Sequence, residues 1–442
     1  MGNLSAKFCC EEFKVASYKD ADGLKKAKDK CYGEGFREGV MSIGMCAGQK
    51  VEDIKATVKK HMIDEGMACP YYEPESEVIS RTGDNCCVAL CDQWLLNYGE
   101  AEWLGKVKEH VFSSEFNTYN PKCLKEFDGV LDWLNEWGCS RTQGLGTALP
   151  WDKQFVIESL SDSTIYMAYY SVSGLLQGGV LDGTSKGPSG IAADQMTTEA
   201  WDYVFLGKDF NAEKCPGLTE EQLKPLRHEF NYWYPMDMRV SGKDLIRNHL
   251  TFSLYNHQAI WEDPKMMTRS YFCNGYLNLN NEKMSKSTGN FMTIDQCIAK
   301  YGSDATRITI ADCGDSLDDG NFVSEIADNT ILKLFTLEEW IRKHTPADGF
   351  DFKAASDSAN LDSWDKLILN KMNEINQTVF QAYAQMKLKE VVKHGFNALL
   401  SLKETYLIGK SGEPNPYILM KYMILQLVVM NPIAPHFCQY MW

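Results

Sequence analysis

The chain has 442 residues, 44% apolar and 24% charged, an ordinary globular balance with length for roughly two to four domains. Its net charge of −15 argues against indiscriminate nucleic-acid binding, although local basic patches would decide any RNA contact. No apolar run reaches the roughly 18–20 residues that span a bilayer, and the longest stretch, 417–429, is broken by Lys421 and Gln426.

In chain order, 20–30 and 51–65 carry apolar positions at helical spacing, with a glycine-punctuated stretch, 33–48, between them. The spacing predicts strand and turn over 79–97 and helices over 100–110 and 121–137, the first with Trp103, Leu104 and Val107 as its apolar stripe. A glycine-rich loop, 139–147, precedes a short β-prone run, 155–160. The Gly-, Asp- and Ser-rich stretch 175–211 reads as a surface excursion. Residues 232–240 read as β-prone, 245–260 as a helix, 270–279 as a strand and 293–301 as a helix. Helices are expected over 324–343, 363–384, 388–405 and 416–430, with 345–357 as the best domain boundary. The fifteen cysteines are scattered and include no Cys-x-x-Cys, which predicts reduced thiols, a cytoplasmic setting and no protein-bound metal. The N-terminus has no secretory pattern, and Ala6 stands where a myristoylation pattern needs Ser or Thr.

Three clusters can carry chemistry. In Lys283-Met284-Ser285-Lys286-Ser287 two lysines three apart flank hydroxyls in a loop leading to a helix. Lysine is a compact, mobile positive charge suited to phosphate, so such a loop could close over a triphosphate; an exposed polar loop is the bland alternative. Ser241-Gly242-Lys243-Asp244 sits where a predicted strand meets a predicted helix. There Gly242 would let a nucleotide approach and Asp244 could accept hydrogen bonds from ribose, or equally could cap the helix. Glu158 to Met167 holds a Ser/Thr/Asp cluster that suits a polar substrate or an N-cap.

Lys283 to Ser287, with Thr288-Gly289-Asn290 and Tyr301-Gly302-Ser303-Asp304-Ala305-Thr306-Arg307, resembles the signature region of class I aminoacyl-tRNA synthetases. Val78-Ile79-Ser80-Arg81, Cys91-Asp92-Gln93-Trp94, Leu149-Pro150-Trp151-Asp152 and Tyr234 to Asp244 resemble the eukaryotic cytosolic leucyl-tRNA synthetases. The resemblance implies an α/β fold. It would be the second half of a Rossmann-like nucleotide-binding domain, followed by an all-α anticodon-binding bundle. It places the tail of the connective or editing insertion at 1–75 and the second Rossmann half, with insertions, at 76–270. The KMSKS loop and stem-contact region take 271–345, and the anticodon-binding helices 346–442. Lys283 and Lys286 would be catalytic, holding phosphates, and Gly242, Asp244, Met284, Ser285 and Ser287 would bind ATP. His249, Ser163 and Tyr166 would line the amino-acid pocket, with Arg141 and Gly144 as weaker candidates. The implied substrates are leucine, tRNA(Leu) and ATP accompanied by Mg²⁺, with no membrane partner; no residue pattern bears on a multi-synthetase assembly.

The resemblance also implies a His-x-Gly-His motif, whose imidazoles stabilise the ATP α-phosphate. No two of the eight histidines are three residues apart. The sequence therefore reads as partial and, by itself, inactive in adenylate formation. A short paralogue that binds nucleotide or tRNA without catalysis, and an isoleucine, valine or methionine specificity of the same class, are the other readings.

Overall fold

The computed structural model describes residues 5–74, 76–80, 82–144, 146–285, 288–346, 351–411 and 413–442. The chain divides into two compact units, Met1–Asp92 and Gln93–Trp442. In the first, the helices Ser5–Glu12, Ala21–Gly33 and Val51–Asp64 surround a small core that includes Cys9, Ala27 and Ile54. Asp20 starts the second helix by accepting the Gly23 N–H at 3.0 Å, as an N-cap aspartate does. The stretch between the second and third helices is a π-helical turn, Glu34–Glu38, followed by a bridge between Val40 and Lys50.

The second unit begins with two small antiparallel pairs. Strand β1 (Leu95–Asn97) pairs with β2 (Glu136–Gly138), and β3 (Ser140–Arg141) with β4 (Val156–Ile157). The helix expected to run to 137 stops at Trp133, because Leu134 adopts an extended backbone and the next residues are taken by the ladder to Leu95–Asn97. Strand β5 (Arg239–Gly242) then pairs in parallel with β6 (Tyr271–Asn274). Parallel strands need a long crossover, and here it is helical: a 3-10 turn Lys243–Leu245, a π turn Ile246–Leu250 and the α-helix Thr251–Ile260. That helix is buried on most sides, so its sequence shows little amphipathic contrast. Its residues Phe252, Leu254 and Tyr255 pack with Tyr98, Phe127 and Tyr271 in one apolar cluster.

Two further expectations are corrected. Residues 175–211 are not simply a surface excursion. They include the helix Thr198–Phe205, and Ile191, Ala200, Tyr203 and Val204 are core residues packed with Leu223, Leu226 and Phe230. The β-prone stretch 232–240 is mostly not strand. Tyr232 and Trp233 end the helix Glu220–Trp233, the Tyr234–Pro235 peptide bond is cis, and only Arg239 begins a strand.

The single strand expected over 270–279 is two, β6 and β7 (Leu277–Leu279), broken at Gly275 and Tyr276. Strand β7 hairpins into β8 (Glu282–Lys283) and pairs in parallel with β9 (Gly320–Phe322). The connection to β9 runs through the helices Ile294–Tyr301 and Ser303–Cys313, the first with a Thr293/Gln296 capping box. Beyond β9 the chain is helical: Ser324–His344, Phe352–Ser358, Ser363–Ala384, a continuous run from Leu388 to Gly409 with a π segment, and Pro416–Met430 and Pro435–Met441. One apolar cluster joins Ile308, Leu337 and Ile341 to Ile368, Phe396 and Leu427, so packing continues across 345–357.

Candidate functional site

The turn that closes β5 sets out the first part of the site. A Cβ on Gly242 would lie 2.6 Å from an Asp244 carboxylate oxygen, so only glycine lets that carboxylate fold back over the strand end. Asp244 is exposed, and the N-cap of the following 3-10 turn is Gly242, not Asp244. The carboxylate is thus not spent as a helix cap. It lines a cleft of about 930 Å³ together with Lys122, Lys125, Lys243, Arg247 and Tyr276.

The second part is the β7–β8 hairpin. Leu279 faces Glu282 across a two-residue turn, and Asn280 and Asn281 have φ of 51° and 69°. Two left-handed residues in a two-residue loop match the twist of the flanking strands, and asparagine tolerates that conformation well. The asparagines also dock the turn on the next strand. Asn281 N–H donates to Asn321 Oδ1 at 2.7 Å, the Asn321 amide donates back at 2.7 Å, and Ser324 N–H donates to Asn280 Oδ1 at 2.9 Å. Lys283 is exposed at the end of β8. Met284 packs against the cluster of Leu279, Cys297, Tyr301 and Phe322, anchoring the strand beside it. Ser285 N–H donates to the Asn290 carbonyl at 2.9 Å, and Thr288 Oγ1 donates to the Ser285 carbonyl at 3.3 Å. Lys286 and Ser287 lie outside the described residues.

A third group gathers the expected pocket residues. His249 is buried, its Nε2 donates to the Ser163 carbonyl at 2.9 Å, and its ring stacks near Tyr166 with centroids 6.1 Å apart. A carbonyl only accepts, so Nε2 carries the proton and Nδ1, sealed from solvent, has no partner among the described residues. Burial holds the imidazole below its ordinary pKa, with the Arg239 charge adding to the effect. The Ser163 hydroxyl is spent on the Ser159 carbonyl at 2.8 Å, so its backbone oxygen is what meets His249. Arg141 folds back on its own strand, donating to the carbonyls of Gly138 at 3.0 Å and Ser140 at 2.7 Å. Gly144 has φ 128°, a conformation open to glycine.

Several residues that sequence reading passed over belong to these groups. Arg239 lies over the Tyr166 ring, 5.2 Å from its centroid. His257 accepts from the Tyr234 hydroxyl at 2.8 Å. Asp319, in the acidic turn before β9, takes the Lys243 ammonium at 2.6 Å and the Tyr276 N–H at 3.0 Å. Those two bonds, with the positive charge of Lys283 a smaller contribution, hold the Asp319 carboxyl below its usual range. The close approach at Gly275 belongs to the same junction: a Cβ there would lie 2.2 Å from the Asp318 carbonyl oxygen, which is backbone and has little freedom to yield. Gly275→Ala is expected to cost about 1–3 kcal/mol by overpacking. Thermal melting checks it, and a midpoint within roughly one degree of wild type would show that the turn can give way.

Residues 214–314 match the tRNA synthetases class I (C) catalytic domain, and residues 365–442 match the anticodon-binding domain of tRNA ligase. Curated relatives include the cytoplasmic leucine–tRNA ligases of Pongo abelii, 43% identical over 100% of this chain and 37% of the relative, and of Dictyostelium discoideum, 43% identical over 99% and 40%. The Saccharomyces cerevisiae enzyme is 41% identical over 100% of this chain and 39% of its own. The chain therefore spans about two fifths of the length of these relatives, 37–40%. Among solved structures, Mycobacterium tuberculosis methionyl-tRNA synthetase in complex with methionyl-adenylate matches with a TM-score of 0.54 at 14% identity, covering 84% of this chain and 66% of that one. The two family matches, with a fold like that of this structure, give the architecture: part of a class I synthetase catalytic domain followed by an anticodon-binding domain.

Proposed function

We infer that this chain, homologous along its whole length to the cytoplasmic leucine–tRNA ligases, supplies the KMSKS half of a site that joins leucine to ATP and then to tRNA(Leu). The observation that carries this reading is the shared place of two groups. The Asp244 carboxylate and Tyr276 line one cleft, and Tyr276 leads directly into the hairpin that presents Lys283. Asp244 holds the ribose hydroxyls. Lys283 and Lys286 meet the β- and γ-phosphates, and stabilise the charge that gathers on departing pyrophosphate. The Ser285 and Ser287 hydroxyls and nearby backbone N–H groups add donors as the loop closes. Mg²⁺ enters with ATP, carried by phosphate oxygens and water. The neutral, buried His249 beside Tyr166 and Ser163 suits a wall against an aliphatic side chain, which is what leucine offers. The protein acts in the cytoplasm, as its relatives' names state for them, and the helices of 365–442 engage the tRNA.

The sequence contains no His-x-Gly-His, so the chain alone binds nucleotide without forming leucyl-adenylate at an enzymatic rate. Two measurements test this. Equilibrium titration with ATP-Mg²⁺ is expected to give saturable binding that Asp244→Ala and Lys283→Ala each weaken about tenfold, a loss of roughly 1.4 kcal/mol apiece. Leucine-dependent exchange of pyrophosphate into ATP by the purified chain is expected to stay at background. Binding untouched by both substitutions would remove the nucleotide assignment, and brisk exchange would overturn the claim of inactivity.

A further inference from the structure

We propose that the Lys243–Asp319 ion pair is a positioning device that fixes the lysine hairpin to the turn carrying Asp244. The proposal rests on reading that hairpin as the element that closes over nucleotide, and it adds the pair that sets its place.

A single carboxylate oxygen gathers the ends of three strands. Lys243, beside Asp244 at the end of β5, donates from Nζ to Asp319 Oδ1 at 2.6 Å and to the Leu317 carbonyl at 3.1 Å. The same Oδ1 accepts the N–H of Tyr276, the residue before β7, at 3.0 Å. Asp319 is itself the residue before β9. The ammonium also lies 5.0 Å from the Tyr276 ring centroid, so the aromatic face limits where the lysine can swing. Gly320 N–H donates to the Tyr276 carbonyl at 2.8 Å, and Gly275 N–H to Ser316 at 3.0 Å, which closes the junction from the backbone.

The consequence concerns geometry more than stability. The two side chains are 32% and 41% exposed, and exposed pairs contribute little to global stability. Yet β8 reaches the rest of the domain through β7 and through the Asn280 and Asn281 contacts to Asn321 and Ser324. A shift of the β7–β9 junction against β5 would therefore carry Lys283 away from Asp244. Lys243 is committed to this role: its ammonium already has two oxygen acceptors and an aromatic face. Lys283, exposed and within electrostatic reach of Asp319, is left to meet phosphate.

Hydrogen exchange followed by mass spectrometry on the full chain tests the idea without requiring activity. Lys243→Met and Asp319→Asn are each expected to speed exchange in peptides covering 277–285 by about tenfold, through easier local opening. Peptides covering β5, β6 and the bundle keep wild-type rates. The double substitution matches the singles, because both remove one interaction. Unchanged exchange in 277–285 for both single variants overturns the proposal. So does a rise spread through β5, β6 and the bundle, which would mark a merely structural loss. If Lys243→Met does not fold by circular dichroism, the nearly isosteric Asp319→Asn carries the test alone. A chain that binds no ATP-Mg²⁺ but shows this exchange pattern would sink the nucleotide reading and leave the positioning pair standing.

Discussion

Replacing Asp365 by alanine is expected to lower the unfolding free energy of the second unit by about 3–5 kcal/mol, the cost of removing one partner from a buried ionic network. Asp365 is 1% exposed. Its Oδ1 accepts from the Tyr406 hydroxyl at 2.7 Å and from the Lys410 ammonium at 3.0 Å, while Oδ2 accepts the Asp362 N–H at 3.2 Å. The Tyr406 oxygen in turn accepts the N–H of Asn415, whose side chain caps the helix Pro416–Met430. One carboxylate thus ties the start of Ser363–Ala384 to the end of Leu399–Gly409 and, through Tyr406, to the start of Pro416–Met430. Alanine leaves the Tyr406 hydroxyl buried without that acceptor and leaves Lys410, among the described residues, the Asp362 carboxylate at 2.8 Å. Asp365→Asn keeps the shape and some hydrogen bonding, so its expected cost is about 1–2 kcal/mol. Denaturant unfolding followed by tryptophan fluorescence measures both. A loss below roughly 1 kcal/mol for the alanine variant would show that Tyr406 and Lys410 find water instead.

What was legible in the sequence was local. Asp20, Thr293 and Asp362 announce helix starts because a side-chain oxygen three residues from a backbone N–H is a short-range arrangement. The helices 51–65, 363–384 and 416–430 are found within a residue of where spacing puts them. The errors came where distant partners decide. Residues 134–137 look helical, but the chain leaves the helix at Leu134 and Glu136–Gly138 pair with Leu95–Asn97. The glycine-rich 175–211 looks solvated, yet Ile191 and Tyr203 fill a core made with the later helix Glu220–Trp233. The site divides the same way. The lysine loop and the Gly242/Asp244 turn are contiguous phrases and could be picked out directly. Lys243 and Asp319 are separated by 76 positions, and neither residue type nor spacing links them. The only sequence hint is a run of acids, Asp315-Ser316-Leu317-Asp318-Asp319, just before a strand. Tyr234 and His257, 23 positions apart, likewise meet only through tertiary packing, ring on ring and hydroxyl to Nε2.

That buried histidine carries a pH dependence in the mildly acidic range. His257 is fully buried on the helix that also follows Asp244 and His249, and burial pushes its pKa from 6.5 down to about 4, with the nearby Arg239 charge adding a smaller contribution. Its Nδ1–H donates to the Ser253 carbonyl at 2.7 Å and its Nε2 accepts from the Tyr234 hydroxyl, so the neutral ring is fully satisfied. The unfolded chain takes up a proton at this residue as pH falls through 6.5, while the folded chain refuses it until about 4. Stability from this group is therefore complete above that window and lost on acidification, at up to about 1.4 kcal/mol per pH unit. Between pH ~7.5 and ~5.0, where most carboxylates stay ionised, wild-type unfolding free energy should fall by about 2 kcal/mol more than that of His257→Gln, which cannot titrate. His249, shifted in the same direction, is present in both proteins and cancels in the difference. Urea unfolding at the two pH values reads it directly. Equal pH slopes in the two proteins would mean that His257 is protonated in the folded state, and the Tyr234–His257 hydrogen bond would then have to run with the ring nitrogen as donor.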